Sequence, residues 1–351
     1  MNRFGKNISF TVFGESHGKV MGVTINGLMP GLRIDQDYIK EQLVLRSSTM
    51  EITTPRKEAD EFEIVSGYFN NATTGAPLTF LVENKNYDSS EYSETRLRPS
   101  HADLVAKEKY KGFNDYRGGG IFSGRLTVLS TIAGAVARSI LMKKDILIYS
   151  HIYQVGEVKD ISYLSQNPTK DGSVDTEKYE QMISLVEKSK ANHDSIGGVI
   201  ETGIYGVKVG IGNPLFGSME STLSEALFSI PGIKGVEFGA GFEFGDMMGS
   251  EANDQIFFDE GFRTRTNNSG GINGGISNGM PIVYKSVFRP TPSISKKQII
   301  VDYITKQNEE LEGKGRHDAG IFIRGMHVIS NLSAFALLDL IVESEGRSWM
   351  S

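Results

Sequence analysis

The chain has 351 residues, 40 glycines, no cysteine and a formal net charge of −6, with a pI near 5.7. That balance argues against a general nucleic-acid binder, which needs a basic face, and the missing cysteine excludes a disulfide frame, a cysteine nucleophile and a thiolate metal site. The N-terminal MNRFGKNISF has no apolar leader, and the apolar run 132–142 is short and carries Arg138, so no membrane span and a reducing, cytoplasmic location are expected.

Residues 10–12 and 20–25 read as strands flanking a GESHG loop at 14–18. Asp35 is placed to cap a helix running to about Arg46, with Ile39, Leu43 and Leu45 as its apolar positions. Segments 63–65 and 77–83 are β-like, and 102–111 and 126–142 read as helices. The stretch 146–158 is rich in Ile, Tyr and Val and reads as strand, 176–192 as a polar-faced helix, and 197–209 alternates like a strand. A serine-capped helix is expected over 218–228, a strand over 281–288 and a closing helix over 332–344. Strands come in groups before long helices, which predicts α+β rather than regular βαβ alternation. No linker divides the chain, so one domain over 1–351 is expected. The glycine-rich patterns of Rossmann and P-loop sites and the HExxH zinc pattern are all missing.

Chemistry concentrates in a few glycine-rich segments. The most informative is DYRGGGIFSGRLT at 115–127, where three glycines lie between Arg117 and Arg125, with Ser123 just before the second arginine. Such a run lets backbone approach a ligand closely, and amides with flanking arginines suit an anion. Two further segments share this character: GESHG at 14–18 and GRHDAG at 315–320. Arginines gather in these regions, at Arg46, Arg56, Arg98, Arg117, Arg125, Arg289 and Arg316. An acidic protein with clustered arginines suits a small anionic ligand. Histidine is the usual acid or base near neutrality, and of six histidines, His17, His101 and His317 sit in motif-like segments. His151, His193 and His327 read as structural. No local ligand pair at metal spacing occurs, so no metal is expected.

Together these segments resemble the signature regions of the chorismate synthase family. Further matches follow in family order: TTPRKE at 53–58, RPSHAD at 98–103, KGVEFGAG at 234–241, GSEAN at 249–253, GGINGGISNG at 270–279 and RPTPSI at 289–294. The resemblance implies a β-α-β sandwich, with helices between antiparallel sheets, assembled as a homotetramer. It implies a lyase that removes phosphate from 5-enolpyruvylshikimate 3-phosphate by anti-1,4-elimination to give chorismate. Reduced FMN is required, with no net redox change. The rival reading is an FMN oxidoreductase or flavin reductase on the same scaffold.

Residue roles follow from the same resemblance. His17 would be the acid near the substrate phosphate, and His101 would protonate or hydrogen-bond the reduced flavin. Asp318 would help remove the substrate proton, with Ser16 and Ser123 hydrogen-bonding in the same site. Arg46, Arg125 and Arg316 would hold the substrate's anions, and Arg316 would also face the flavin. The flavin would be held by Ile121, Phe122, Ser123, Gly274 and the run Arg289, Pro290, Thr291, Pro292 and Ser293. Gly270 and Gly271 read simply as turn glycines.

The chain also departs from the family pattern. The stretch after the first helix reads Val44-Leu45-Arg46-Ser47-Ser48, keeping one arginine where the family often has three, and Glu51 replaces another. Position 121 is Ile, position 289 is Arg and position 319 is Ala, where Arg or His, Lys and Pro are more usual. Some of the missing arginines contact NADPH in the family. The departures therefore argue against NADPH binding and for a separate flavin reductase as partner.

Overall fold

A computed structural model describes residues 2–47, 60–85, 89, 92–164, 175–312 and 318–351. Its helices are α1 (Gln36–Ser47), α2 (Asp103–Lys109), α3 (Thr127–Met142), α4 (Thr176–Ala191), α5 (Met219–Phe228), α6 (Gly249–Ala252) and α7 (Phe322–Glu345). Two five-stranded sheets flank the long helices. The first has the order Arg3–Phe4, Ser9–Phe13, Val20–Asn26, Leu78–Glu83, Phe62–Ser66. The second has the order Val158–Lys159, Leu147–Val155, Gly198–Tyr205, Ile282–Phe288, Ile233–Phe238. Every pairing in both is antiparallel. Helix α3 packs on the first sheet and α5 and α7 on the second, with α3 against α7 and α1 beside both. This is the expected α+β sandwich, and one hydrophobic cluster runs through it from Ile8 to Met350.

Local chemistry explains most element starts. The Asp35 carboxylate accepts from the Tyr38 amide at 2.9 Å and so caps α1, Asp175 accepts from Glu177 and Lys178 at the start of α4, and Ser218 accepts from Ser221 at the start of α5. Positive φ ends two strands early: Gly156 (φ 57°) turns the chain between Leu147–Val155 and Val158–Lys159, and Gly206 (φ 86°) follows Gly198–Tyr205.

Three expectations need correction. Leu45 is 39% exposed, while Gln42 and Arg46 join Ile39 and Leu43 on the buried face of α1. Helix α7 begins at Phe322, ten residues before the expected start, because Gly325 and Arg324 blur the helical pattern there. Gly325 lies against the Phe288 ring, where any Cβ would collide, so tertiary packing sets the boundary. The apolar run 132–142 belongs to a longer helical stretch: among the described residues both Gly124–Met142 and α7 are long and apolar enough to span a bilayer, but 61% and 89% of their apolar windows are buried in the fold, as for core helices. The strand Ile233–Phe238 and the hairpin Lys297–Asp302/Asn308–Glu312 were not anticipated.

Candidate active site

The motif segments meet because of how the sheets end. GESHG is the connection between Ser9–Phe13 and Val20–Asn26, which pair in register. RPTPS continues directly from the strand Ile282–Phe288, and the Arg289 amide donates to the Gly232 carbonyl at 3.0 Å. A third sheet then pairs Arg96–Leu97 with Lys297–Asp302. That pairing brings RPSHAD against RPTPSI across nearly two hundred residues. The tri-glycine segment joins from the start of α3, and Asp318 from just before α7.

The result is one cavity of about 800 Å³, within the 300–1,000 Å³ range of small-molecule sites. Ser16, His17, Arg46, His101, Ile121, Phe122, Ser123, Arg125, Arg289, Thr291, Pro292, Ser293 and Asp318 all line it. Arg316 and His317 lie outside the described residues, as do Glu51 and the TTPRKE segment. Two expected flavin residues are not brought here. Pro290 is exposed between lining neighbours. Gly274 sits in the turn of the hairpin Ile272–Asn273/Ile276–Ser277, next to the start of α5, where the Met219 amide donates to Gly275 at 2.9 Å. Only the other end of α5, at Phe228, lines the cavity. Gly270 and Gly271 are turn glycines with φ of 62° and 80°.

His17 is buried, with Nδ1 2.9 Å from the Ser89 hydroxyl and its ring edge-on to Tyr92 at 5.3 Å. Arg98 lies over the ring of the same tyrosine, 5.1 Å from its centroid. The Ser16 amide donates to the Gly120 carbonyl at 3.3 Å, tying GESHG to the tri-glycine run. All three glycines there have positive φ, and a Cβ on Gly118 would overlap the His17 imidazole. Glycine is required at that spot by conformation and by space.

His101 has a defined tautomer. Its Nδ1 lies 2.9 Å from the Pro99 carbonyl, which can only accept, so Nδ1 carries the hydrogen. Neutral His101 then has a bare Nε2, which accepts from the Ser293 hydroxyl at 2.8 Å. Burial pushes the His101 pKa below its ordinary value, with the positive charge of Arg98 adding to the effect. Asp103 answers Arg98 with a two-pronged ion pair at 2.8 Å on each arm. Burial opposes ionisation of Asp103, but that arginine outweighs it and holds the pKa low.

Asp318 behaves in the opposite way. Burial raises its pKa, and the partial opposition of Arg324, 3.8 Å away, and of the Gly320 amide does not cancel the rise. Its Oδ2 is buried without a hydrogen-bond partner among the described residues. A buried carboxyl with an unsatisfied oxygen and a raised pKa suits proton transfer.

Sequence reasoning passed over Asp60, which is buried and bridges Arg46 and Arg125. It also passed over Arg324, whose Nε donates to the Arg46 carbonyl at 3.2 Å. No motif pointed to either. Of the other described histidines, His151, His193 and His327 do not line the cavity: His151 lies between Asp160 and Glu201 at 3.1 and 3.0 Å, and burial pushes the His327 pKa down to about 4.

A cavity that combines a buried and a half-buried imidazole, a buried carboxyl with a raised pKa and several arginines on an α+β sandwich suits an enzyme for acid–base chemistry on a small polyanion. A family model described as chorismate synthase matches residues 8–342. Chorismate synthases from Thermococcus gammatolerans and Dehalococcoides mccartyi are 44% and 43% identical, the first over 98% of both chains, the second over 98% of this chain and 97% of its own. A solved chorismate synthase structure superposes with a TM-score of 0.75 at 26% identity, over 97% of this chain and 94% of that one. The chain belongs to the chorismate synthase family and is an enzyme of that type, a lyase of the shikimate pathway. Nothing in these matches favours a flavin reductase.

Proposed function

We propose that this chain eliminates phosphate from 5-enolpyruvylshikimate 3-phosphate to give chorismate, with reduced FMN bound in the cavity. The observation that carries the reading is the meeting of His17, His101 and Asp318 with arginines in one cavity. Among the described lining residues, cations at Arg46, Arg96, Arg98, Lys107, Arg125, Lys234, Arg289 and Arg324 outnumber carboxylates at Glu94, Asp103, Asp115 and Asp318. That excess matches a substrate with two carboxylates and a phosphate.

The residues present fit a flavin mononucleotide. The Thr291 hydroxyl is buried without a partner among the described residues, and it lies between Arg289 and Ser293, a cation and a second hydroxyl suited to a phosphate. Ile121 and Phe122 are exposed apolar side chains on the cavity wall, suited to an aromatic ring system. When bound, reduced FMN supplies electron density to the substrate without net redox change.

The protein's own part is to bind, orient and move protons. His17 donates to an oxygen of the departing phosphate. Asp318 helps carry away the C6 proton. His101, held between the Pro99 carbonyl and the Ser293 hydroxyl, would hydrogen-bond the bound flavin. Ser16 and Ser123 complete the hydrogen bonding, and Arg46, Arg125, with Arg316, hold the anions. The whole chain, 1–351, acts as one domain in a cytoplasmic homotetramer, and a separate flavin reductase supplies the reduced cofactor.

Flavin binding is tested apart from turnover. Titration of oxidised FMN, followed by the flavin absorbance shift, should give saturable binding that Arg289→Ala weakens by roughly tenfold or more, the scale for losing a charged hydrogen bond to a phosphate. Unchanged binding in that variant would remove 289–293 from the flavin site.

A further inference from the structure

The cavity's two substrate-facing arginines come from different elements, Arg46 from α1 and Arg125 from the turn before α3. Alone they would repel each other. The Asp60 carboxylate separates and joins them: Oδ2 accepts from Arg46 Nη2, and Oδ1 accepts from Arg125 Nη1. Its side chain is 2% exposed, against 3% for Arg46 and 10% for Arg125. Both arginines line the cavity, and Asp60 stands behind them. Burial works against the Asp60 anion, but the two guanidinium groups win and keep its pKa below the ordinary carboxylate value.

The contacts continue on both sides. Asn84 accepts from Arg125 Nε at 3.4 Å. Its amide nitrogen donates to the Glu15 and Gly18 carbonyls at 3.1 and 2.8 Å, the two residues that bracket Ser16 and His17. On the other side, Arg46 donates to Thr127 at 3.3 Å, and its carbonyl accepts from Arg324, the partner of Asp318. A connected line thus runs from the His17 loop through Asn84, Arg125, Asp60 and Arg46 to Arg324 and Asp318. Arg46 Nε stays buried and unpartnered among the described residues, a donor left over for an anion. A buried ion pair is weak evidence of stabilisation, since apolar replacements often do as well. Stability alone therefore does not account for a carboxylate placed here.

We propose that Asp60 is a positioning residue: it sets Arg46 and Arg125 side by side as one anion clamp, which Asn84 fixes to the loop carrying His17. The clamp then meets the substrate's anionic groups at a fixed distance from the proton donor. Half of the charge of the arginine pair is neutralised, leaving one net positive charge from the trio.

This rests on the proposed reading of Arg46 and Arg125 as substrate contacts, and the test separates the two ideas. It is calorimetric titration of 5-enolpyruvylshikimate 3-phosphate into the full chain with oxidised FMN present, for wild type, D60N, D60E and R125K, each with a melting curve. D60N should weaken the substrate Kd by roughly tenfold or more, because both arms lose the charge and one of them meets an NH2 donor in place of an acceptor. In turnover, KM should rise more than kcat falls. Adding D60N to R125K should cost less than it does in wild type, since the part of its effect that acts through the Arg125 guanidinium is already lost. D60E keeps the charge but moves the oxygens by a methylene, and it too should lose affinity. If D60N does not fold, D60E carries the test. Normal affinity in any folded Asp60 variant, beside lost affinity in R125K, overturns the positioning role. Normal affinity in R125K as well overturns the substrate reading and the inference with it.

Discussion

Nε2 of His101 lies 2.8 Å from Oγ of Ser293, joining two segments 192 residues apart in the chain. The bond exists because Arg96–Leu97 pairs with Lys297–Asp302 just beyond it. Its direction is fixed by the Pro99 carbonyl on the other ring nitrogen.

Replacing His101 by Ala should lower kcat by roughly 10²–10⁴, the range for positioned acid–base groups. Ser293→Ala should lower it less, since the imidazole keeps its tautomer through Pro99. The pH dependence of stability follows from the depressed pKa. Folded His101 binds fewer protons than unfolded His101, so its contribution is full above about pH 6.5 and is lost as pH falls through the folded value. Melting curves from pH 5 to 8 should show a shallower acid-side decline in His101→Gln; an unchanged decline contradicts the assignment.

Asp318→Asn should separate activity from stability. The raised pKa means that ionised Asp318 costs stability, and the cost grows as pH rises through the folded value. Asn keeps the Oδ1 acceptor for the Gly320 amide and removes the charge. The variant should hold or raise its melting temperature at pH 7 while kcat drops by roughly 10²–10⁴. A large loss of melting temperature with near-normal kcat would show Asp318 to be structural.

Gly118→Ala tests the contact between the tri-glycine run and His17. Its φ of 60° is strained for alanine, and the added Cβ meets the imidazole. Such strain costs about 1 kcal/mol or more, while displacing His17 should cut kcat by at least about tenfold. Gly245→Ala is the control, because a Cβ there meets nothing within 4 Å and Gly245 does not line the cavity. Equal kcat in the two variants would contradict the account.

The reductant is a separate matter. Leu45 is exposed on α1 and is absent from the cavity lining, and its side chain offers a phosphate no hydrogen bond. Purified protein with FMN and NADPH should show no NADPH oxidation at 340 nm, and turnover should start only when a flavin reductase is added. Robust NADPH-driven turnover by the protein alone would withdraw the claim about the electron source and leave the elimination untouched.

The motifs made the cavity legible because its glycines, arginines and histidines gather in a few short segments, GESHG, RPSHAD, DYRGGGIFSGRLT and RPTPSI, that a local reading can see. Apolar periodicity marked the buried positions Ile39 and Leu43 and the helix over 126–142, while the sandwich itself came from the family resemblance. What escaped notice was set by long-range contacts. Asp60 reads as one acid among several in EADEFE, and only the fold brings it between two arginines. The start of α7 depends on Gly325 meeting Phe288, a pairing that no local pattern reveals. Gly274 shows the converse: a motif glycine whose neighbours hold it at the far end of α5.

The central claim is tested most directly by an anaerobic assay with 5-enolpyruvylshikimate 3-phosphate and photoreduced FMN, following chorismate absorbance and flavin oxidation together. The account predicts many turnovers of chorismate with one phosphate released per product and the flavin still reduced at the end. Equal turnover with oxidised FMN, or one flavin oxidised per chorismate formed, would contradict it.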